Sequence, residues 1–406
     1  MVAVVLAGLG AQLIRPLAPD LGPVPDPSAW FTPVLLERIA AYRTPLRWVA
    51  LAGTVIDVAV PLAVAFLPAG RRLVDAVVGR VGPGRPVRAA ALVVAAIVAL
   101  TAVARAPLGL WAHRHARAFG LSTQSAAGWI GDWAIARGVE LAVAVVLTLG
   151  GYALLRRWPA SWHLIAAPAG VLVIAAAVLL SPVLVEPLRF DLHPLEQGPL
   201  RDELEAVLAV DDRARSPLLV ADASRRTIAQ NAYVSGLWGT RRVVLYDTLL
   251  ERDPAEVAQV LAHELAHERN RDLLRGVLAG GAGWVLTCGV LAATVHRRVA
   301  RGRQATAHDP RGAAALVAVV VVLAVLSAPV TAWSSRRAEA AADLGALELT
   351  GDPATFCAMQ RGLVERNLSD PAPPTWQRLW SWSHPPGASR LALAQRWSRE
   401  VSSACG

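Results

Sequence analysis

The chain has 406 residues, of which 54% are hydrophobic and 17% charged, a composition too apolar for an ordinary soluble domain. The formal net charge of +9 comes from arginines scattered through loops that flank apolar runs, a distribution that argues against nucleic-acid binding. The three cysteines form no CxxC pair, so neither a disulfide framework nor a thiolate metal site is predicted.

Seven apolar runs are candidate membrane spans, because a helix needs about 20 apolar residues to cross a bilayer. They cover residues 1–14, 48–67, 89–111, 139–155, 162–185, 273–295 and 313–333. The first run is short, but it lacks the positive start and small-residue cleavage site of a signal sequence, so we interpret it as a span. Trp111 and Trp333 end two of the runs, where amphipathic rings favour the membrane interface.

The segments between the spans differ in character. Residues 68–88 are interpreted as an arginine- and proline-containing loop, and residues 296–312 as a basic loop. The longest polar stretch carries two strand-like runs, 217–223 and 241–246. It ends in a helix from Pro254, with Asp253 as N-cap and Glu256 completing a pattern like a capping box.

We predict four parts along the chain. These are a membrane domain at 1–185, a catalytic segment at 186–272, a transmembrane hairpin at 273–333 and a C-terminal catalytic part at 334–406. The last part is interpreted as an alanine-rich helix followed by an irregular segment rich in proline and tryptophan.

The sequence His263-Glu264-Leu265-Ala266-His267 is an HExxH motif. Residues four apart on a helix share a face, so His263 and His267 can present imidazole nitrogens to one metal ion. Glu264 lies next to that face and can take a proton from the attacking water. A chance match is the alternative, so a third ligand and a suitable setting are needed.

Glu339 is the predicted third ligand. Two consecutive spans return the chain to the side it left, and His267 and Glu339 each lie six residues beyond a span end, about 9 Å at helical rise. Asp343 follows four residues later on the same face and can accept a hydrogen bond from a ligand histidine. The alternative is a solvated acidic face on an amphipathic helix.

Several segments resemble a known family, the integral-membrane type I CAAX prenyl endopeptidases. The motifs that carry the resemblance are residues 119–125, 187–200, 231–236, 241–250, 335–343, and His384-Pro385-Pro386 with Arg390. It implies a mainly α, polytopic membrane protein of about seven spans that enclose a chamber. It also implies a small α+β zincin-like catalytic domain, built from the loop before the sixth span and the tail after the seventh, with one Zn²⁺ per chain.

The resemblance further implies that Asn231 and Ala232 belong to an edge strand that binds the substrate backbone, and that His384 and Arg390 contact the substrate or transition state. The residues alone favour a different interpretation, in which Asn231 caps a turn and His384 is a surface residue beside two prolines. Arg117, Ala118 and Ser122 depart from the family's pattern near residue 119, which favours substrates that need no prenyl group.

We therefore predict a zinc metalloendopeptidase that cleaves hydrophobic or membrane-associated peptides. Its partners are then peptide or membrane-protein substrates and membrane lipid, with no nucleic acid. The absence of lysine and the abundance of alanine and arginine indicate a GC-rich bacterium, hence a bacterial plasma membrane. The family orientation puts the catalytic side in the cytoplasm.

Two alternatives remain at this stage. An intramembrane site-two protease carries HExxH within a span, whereas charged Arg269, Arg271 and Asp272 follow the motif here. A membrane chaperone or transporter that retains a vestigial zinc fold is the non-enzymatic alternative.

Overall fold

The structure is a computed structural model that describes residues 19, 21–209 and 216–404, the last four by their backbone alone. Its membrane part and C-terminal part are helical. The helices are α1 Pro33–Phe66, α2 Pro68–Val81, α3 Pro86–Ala118, α4 Ala126–Arg157, α5 Trp162–Leu184, α6 Pro199–Ala209, α7 Pro254–Arg269, α8 Asp272–Ala300, α9 Ala313–Thr350, α10 Pro353–Asn367, α11 Thr375–Trp380 and α12 Gly387–Ala404. The strands are β1 Leu192–Pro194, β2 Leu218–Ala221, β3 Ala232–Ser235 and β4 Arg242–Tyr246.

Six helices of the described residues are long and apolar enough to cross a membrane: α1, α3, α4, α5, α8 and α9. Only 6% of the apolar window of α5 and 11% of that of α4 is buried by the rest of the chain, so their apolar side chains are left for lipid. All six predicted runs that fall on described residues coincide with these helices, and the runs 48–67 and 162–185 extend one residue past the helix end. The predicted span at 1–14 lies outside the described residues.

The helices extend well past the apolar runs. α1 begins at Pro33 rather than at residue 48, because Thr32 caps it, its hydroxyl accepting a hydrogen bond from the Leu35 amide. α9 continues without a break to Thr350, so the third-ligand segment is an extension of the last span. A hydropathy window detects only the part of a helix that meets lipid, whereas backbone hydrogen bonding continues until a stop signal such as Gly351.

Two predictions about loops are wrong. Most of residues 68–88 forms α2, because Pro68 starts a helix. Its Val74 and Val78 are buried in a hydrophobic core that the membrane helices form with one another. The C-terminal segment is not irregular, since α11 and α12 follow its prolines. The start of α7 is confirmed, with the Asp253 carboxylate accepting a hydrogen bond from the Ala255 amide, but the Glu256 carboxylate binds Arg252 rather than completing a capping box.

The four strands form one sheet in the order β1-β2-β4-β3, with β2 and β4 parallel and the outer pairs antiparallel. The two predicted strands correspond to β2 and β4. One face of the sheet packs on α7 through a core that includes Leu245, Leu261 and Leu265, all 0–1% exposed. β3 is an edge strand of this sheet and lies against α7, the helix that carries HExxH.

Polar contacts join the catalytic part to the membrane helices. Arg43 on α1 donates hydrogen bonds to the carbonyls of Asn367 and Leu368, and Arg47 forms an ion pair with Asp370. These contacts hold the catalytic part against the end of the membrane bundle.

Candidate active site

The HExxH helix α7 and the extended helix α9 cross at close range. A Cβ on Gly345 would lie 2.7 Å from the Ala266 Cβ, so only glycine allows this approach. The approach brings residues 339 and 343 of α9 to the face of α7 that carries the two histidines.

His263, His267 and Glu339 meet at one point. Their ligand atoms all lie within 4.8 Å of one another, the arrangement of a three-residue metal site. The two histidine Nε2 atoms are 3.2 Å apart, and they lie 3.3 and 3.5 Å from carboxylate oxygens of Glu339. Among the described residues, Glu339 Oε2 is buried and has no hydrogen-bond donor.

Each histidine has its other ring nitrogen on a carboxylate. His263 Nδ1 is 3.0 Å from Asp343 Oδ1, and His267 Nδ1 is 2.9 Å from Asp272 Oδ2. We infer that both Nδ1 atoms carry the proton, which leaves two Nε2 lone pairs facing each other beside a carboxylate. Such lone pairs repel unless a cation lies between them, so the residues present fit a bound metal ion.

Asp343 is fully buried and is held by Arg390 of α12. Arg390 Nε donates to Asp343 Oδ2 at 2.8 Å, and Nη2 binds Oδ1. The resemblance implies a substrate contact for Arg390, whereas the structure places its guanidinium on Asp343, behind the histidine. Its contact to Asp343 orients the carboxylate that faces His263.

Asp272 received no role from the sequence. Arg271 has left-handed backbone dihedrals, φ 55° and ψ 38°, and this turn between α7 and α8 points the Asp272 side chain back at His267. A carboxylate five residues after the second histidine, at a helix junction, is the only sequence signal that could have indicated it.

Glu264 lies at the edge strand. Its Oε2 accepts a hydrogen bond from the Val234 amide of β3 at 3.2 Å, and burial raises the pKa of its carboxyl above the usual value. A carboxylate with a raised pKa is better matched to taking and returning a proton near neutral pH.

The backbone of β3 alternates between its neighbour and the open edge. The Asn231 carbonyl accepts a hydrogen bond from the Tyr246 amide, so it is used inside the sheet. Ala232 and Val234, on the opposite alternation, direct their backbone groups to the edge where Glu264 lies. The side chain of Asn231 is exposed.

His384 lies beside the same cluster. Its Nε2 is 3.4 Å from Glu339 Oε1, and 58% of its side chain is exposed, unlike the buried histidine His263. Arg336 of α9 holds this segment in place, because its guanidinium donates to the carbonyls of Arg378 and Trp382. The structure thus brings every predicted site residue to one region.

Residues 194–398, half of the chain and all of this cluster, match the family model described as peptidase family M48. The chain belongs to peptidase family M48. The predicted family is thereby confirmed, and this M48 chain, which has six apolar helices among its described residues, is a membrane metallopeptidase. Its HExxH motif lies on α7, outside those six helices, which removes the intramembrane site-two alternative.

Similar proteins support this assignment. An uncharacterized metalloprotease YhfN of Bacillus subtilis is 28% identical over 311 residues, which cover 73% of this chain and 71% of the relative. A CAAX prenyl protease 1 homolog of Arabidopsis thaliana is 39% identical over 88 residues, only 21% of each chain. The crystal structure of S. mikatae Ste24p superposes with a TM-score of 0.77 at 18% identity, covering 97% of this chain and 96% of that one. The predicted fold class is therefore confirmed.

Proposed function

We propose that this chain is a zinc endopeptidase of the bacterial plasma membrane that hydrolyses apolar peptides and membrane-protein termini. The observation that carries the proposal is the converging set of His263, His267 and Glu339. Ligands about 2.0–2.2 Å from a tetrahedral zinc ion stand roughly 3.3–3.6 Å apart. The two Nε2 atoms are 3.2 Å apart, and they lie 3.3 and 3.5 Å from the two different oxygens of Glu339, which is close to this spacing.

When bound, zinc in a site of two histidines and one carboxylate polarises a carbonyl oxygen and lowers the pKa of water. Glu264 then takes the proton of the attacking water on a carboxylate oxygen and passes it to the leaving amine nitrogen. Asp343 and Asp272 hold the protons on Nδ1 of the two histidines and so fix their orientation.

Substrate binding is proposed at the edge of β3. The open backbone groups of Ala232, beside Asn231, can pair with an extended peptide and set its carbonyl near Glu264. His384, exposed and next to Glu339, is placed to donate a hydrogen bond to the oxyanion that forms during attack. Access through a chamber between the spans would favour short apolar segments over folded domains.

The purified protein is expected to contain one zinc per chain and to cleave an unprenylated apolar peptide. Removing the metal with a chelator should abolish cleavage, and adding zinc back should restore it, because the metal is the Lewis acid of the proposed mechanism. Metal analysis and a mass-spectrometric peptide assay measure both.

The control for that experiment is the same peptide with a prenylated C-terminal cysteine. Similar rates for the two peptides agree with the proposed substrate class, whereas strict dependence on the lipid would refute it. Chelation that removes zinc but leaves the rate unchanged would refute the metal mechanism.

We also predict that Asp272→Ala weakens zinc affinity about 10- to 100-fold, because the orientation of His267 and its Nδ1 proton would be lost. Competition with a fluorescent chelator measures this affinity. Asp253→Ala is the matched control, since it removes a carboxylate from the far end of α7 without touching the histidines. Equal affinities for the Asp272 variant and the wild type would show that this contact has no such role.

The catalytic side is proposed to face the cytoplasm, as the family resemblance implies. Arginines flank the spans on both sides of the membrane, so the distribution of positive charge does not by itself determine the orientation. A cysteine in place of Arg301, in the loop opposite the site, should then react with an impermeant maleimide in intact cells. A cysteine in place of Arg269, at the end of α7, should react only after the cells are opened. The reverse pattern would invert the orientation.

A further inference from the structure

A cavity of about 700 Å³ lies beside the C-terminal half of α9. Arg336, Arg337 and Ala340 of α9 line one side of it, and Arg378 and Leu379 of α11 line another. None of the three proposed zinc ligands is among its described lining residues, so the cavity is distinct from the metal site.

The cavity has an excess of positive charge. Three arginines line it, and its described lining includes no aspartate or glutamate. The Arg336 guanidinium donates hydrogen bonds to two backbone carbonyls. Arg378 Nη2 donates to the Thr375 hydroxyl, whereas Arg378 Nε is buried without a hydrogen-bond acceptor among the described residues.

The rest of the surroundings is apolar and aromatic. The guanidinium of Arg337 lies over the ring of Trp333, 5.3 Å from its centroid, and Trp333 itself lines the cavity. On α11, Trp376, Leu379 and Trp380 are 46%, 56% and 43% exposed, and Leu379 lines the cavity. Half-buried arginines next to exposed apolar rings match a ligand with an anionic head and an apolar tail.

The cavity also lies at the height of lipid headgroups. Trp333 ends the predicted span, and Arg337 stands one helical turn beyond it, about 6 Å further along the axis. The headgroup layer extends roughly 5–7 Å beyond the hydrocarbon core on each side of a bilayer. A phosphate in this layer is therefore within reach of Arg337 and Arg378.

We propose that the cavity binds the phosphate group of an anionic phospholipid, with Arg337 and Arg378 as its contacts and the acyl chains against Trp333 and Leu379. Guanidinium groups bind phosphate oxygens through paired hydrogen bonds and stay charged when partly buried. A lipid in this position would bridge α9, which carries Glu339, and the segment that leads to His384.

The test uses the full-length protein in a neutral detergent. Native mass spectrometry measures binding of dioctanoyl phosphatidylglycerol, dioctanoyl phosphatidylcholine and inorganic phosphate. We expect phosphatidylglycerol to bind and the other two to bind at least tenfold more weakly. Each unit by which the charge becomes more negative should weaken phosphatidylglycerol binding roughly fivefold. Arg378→Gln changes the charge by one unit and should cost about fivefold, and Arg337→Glu changes it by two and should cost about 25-fold.

Arg269→Glu is the matched control, because it makes the same change of charge on the catalytic side but outside the cavity. Its lipid binding should equal that of the wild type, and thermal unfolding without lipid shows whether each variant is folded. Equal binding of the two phospholipids, or wild-type binding by the Arg337 variant, would overturn the proposal.

Two further outcomes assign the cavity to other ligands. Inorganic phosphate that binds as tightly as phosphatidylglycerol would make it a site for a free anion. If Arg337→Glu raises KM for a peptide with a free C-terminus but not for the amidated peptide, the cavity binds the substrate carboxylate. Either result rejects the lipid. The lipid and phosphate measurements need no turnover, so a failure of the proposed peptidase activity would leave them unaffected, whereas the KM comparison rests on that activity.

Discussion

Glu264→Gln is expected to abolish peptide hydrolysis while zinc stays at one ion per chain. Glu264 contacts the Val234 amide and contributes no atom to the group formed by His263, His267 and Glu339. The glutamine side chain should therefore leave this ligand set intact. General acid–base catalysis contributes about 10²- to 10⁴-fold, and a loss at or beyond the upper end is expected because Glu264 also orients the water. Turnover of an apolar peptide and metal content are measured on the same sample.

His263→Ala is the comparison for that variant, since it should lose the zinc as well as the activity. If the Glu264 variant cleaves at a rate near the wild type, another group is the base and the mechanism is wrong. If the wild type binds zinc and cleaves none of a broad set of peptides, the vestigial chaperone or transporter becomes the better description.

Glu339→Ala should lower zinc affinity by more than about 100-fold. This exceeds the effect expected for losing a residue that only forms a hydrogen bond to a zinc ligand. The carboxylate is the only anionic ligand of the set, and without it two neutral imidazoles face each other 3.2 Å apart. Chelator competition measures the affinity, and retention of zinc under a mild chelator would show that another carboxylate is the ligand.

Asp343→Asn is the matched variant for Glu339→Ala. It keeps the shape of the side chain and an oxygen that faces His263 Nδ1, so zinc affinity should fall only about 10- to 100-fold. Removing the charge also leaves Arg390 without its buried partner, and breaking such a pair costs about 3–5 kcal/mol of folding free energy. Thermal unfolding of the zinc-free protein separates this loss of stability from the change in affinity.

The membrane fold could be predicted where lipid imposes its own constraint. Every described apolar run corresponds to part of a helix, because a backbone in hydrocarbon must satisfy its hydrogen bonds internally. The helix ends could not be predicted in this way. Residues 33–47 of α1 include the charged residues Glu37 and Arg43. The predicted apolar run therefore begins only at residue 48, although the helix begins at Pro33. α2 was missed because its apolar stripe is only part of each turn.

The sequence by itself determined the chemistry of this protein. HExxH puts two imidazoles on one helix face, and the equal spacing of His267 and Glu339 from two consecutive spans indicates a shared metal. These inferences rest on helical periodicity and membrane crossing, which are local properties of the chain.

The sequence spacing predicts Asp343 as the partner of a ligand histidine, but only the tertiary structure decided which other groups support the ligands. The Arg390 contact to Asp343 spans 47 residues of sequence, and the approach of Gly345 to Ala266 depends on how α9 packs on α7. Even Asp272, five residues from His267, required a left-handed turn at Arg271 that no residue preference predicts. Side-chain contacts between separate elements depend on packing of the whole chain, and the local pattern of residues does not contain that information.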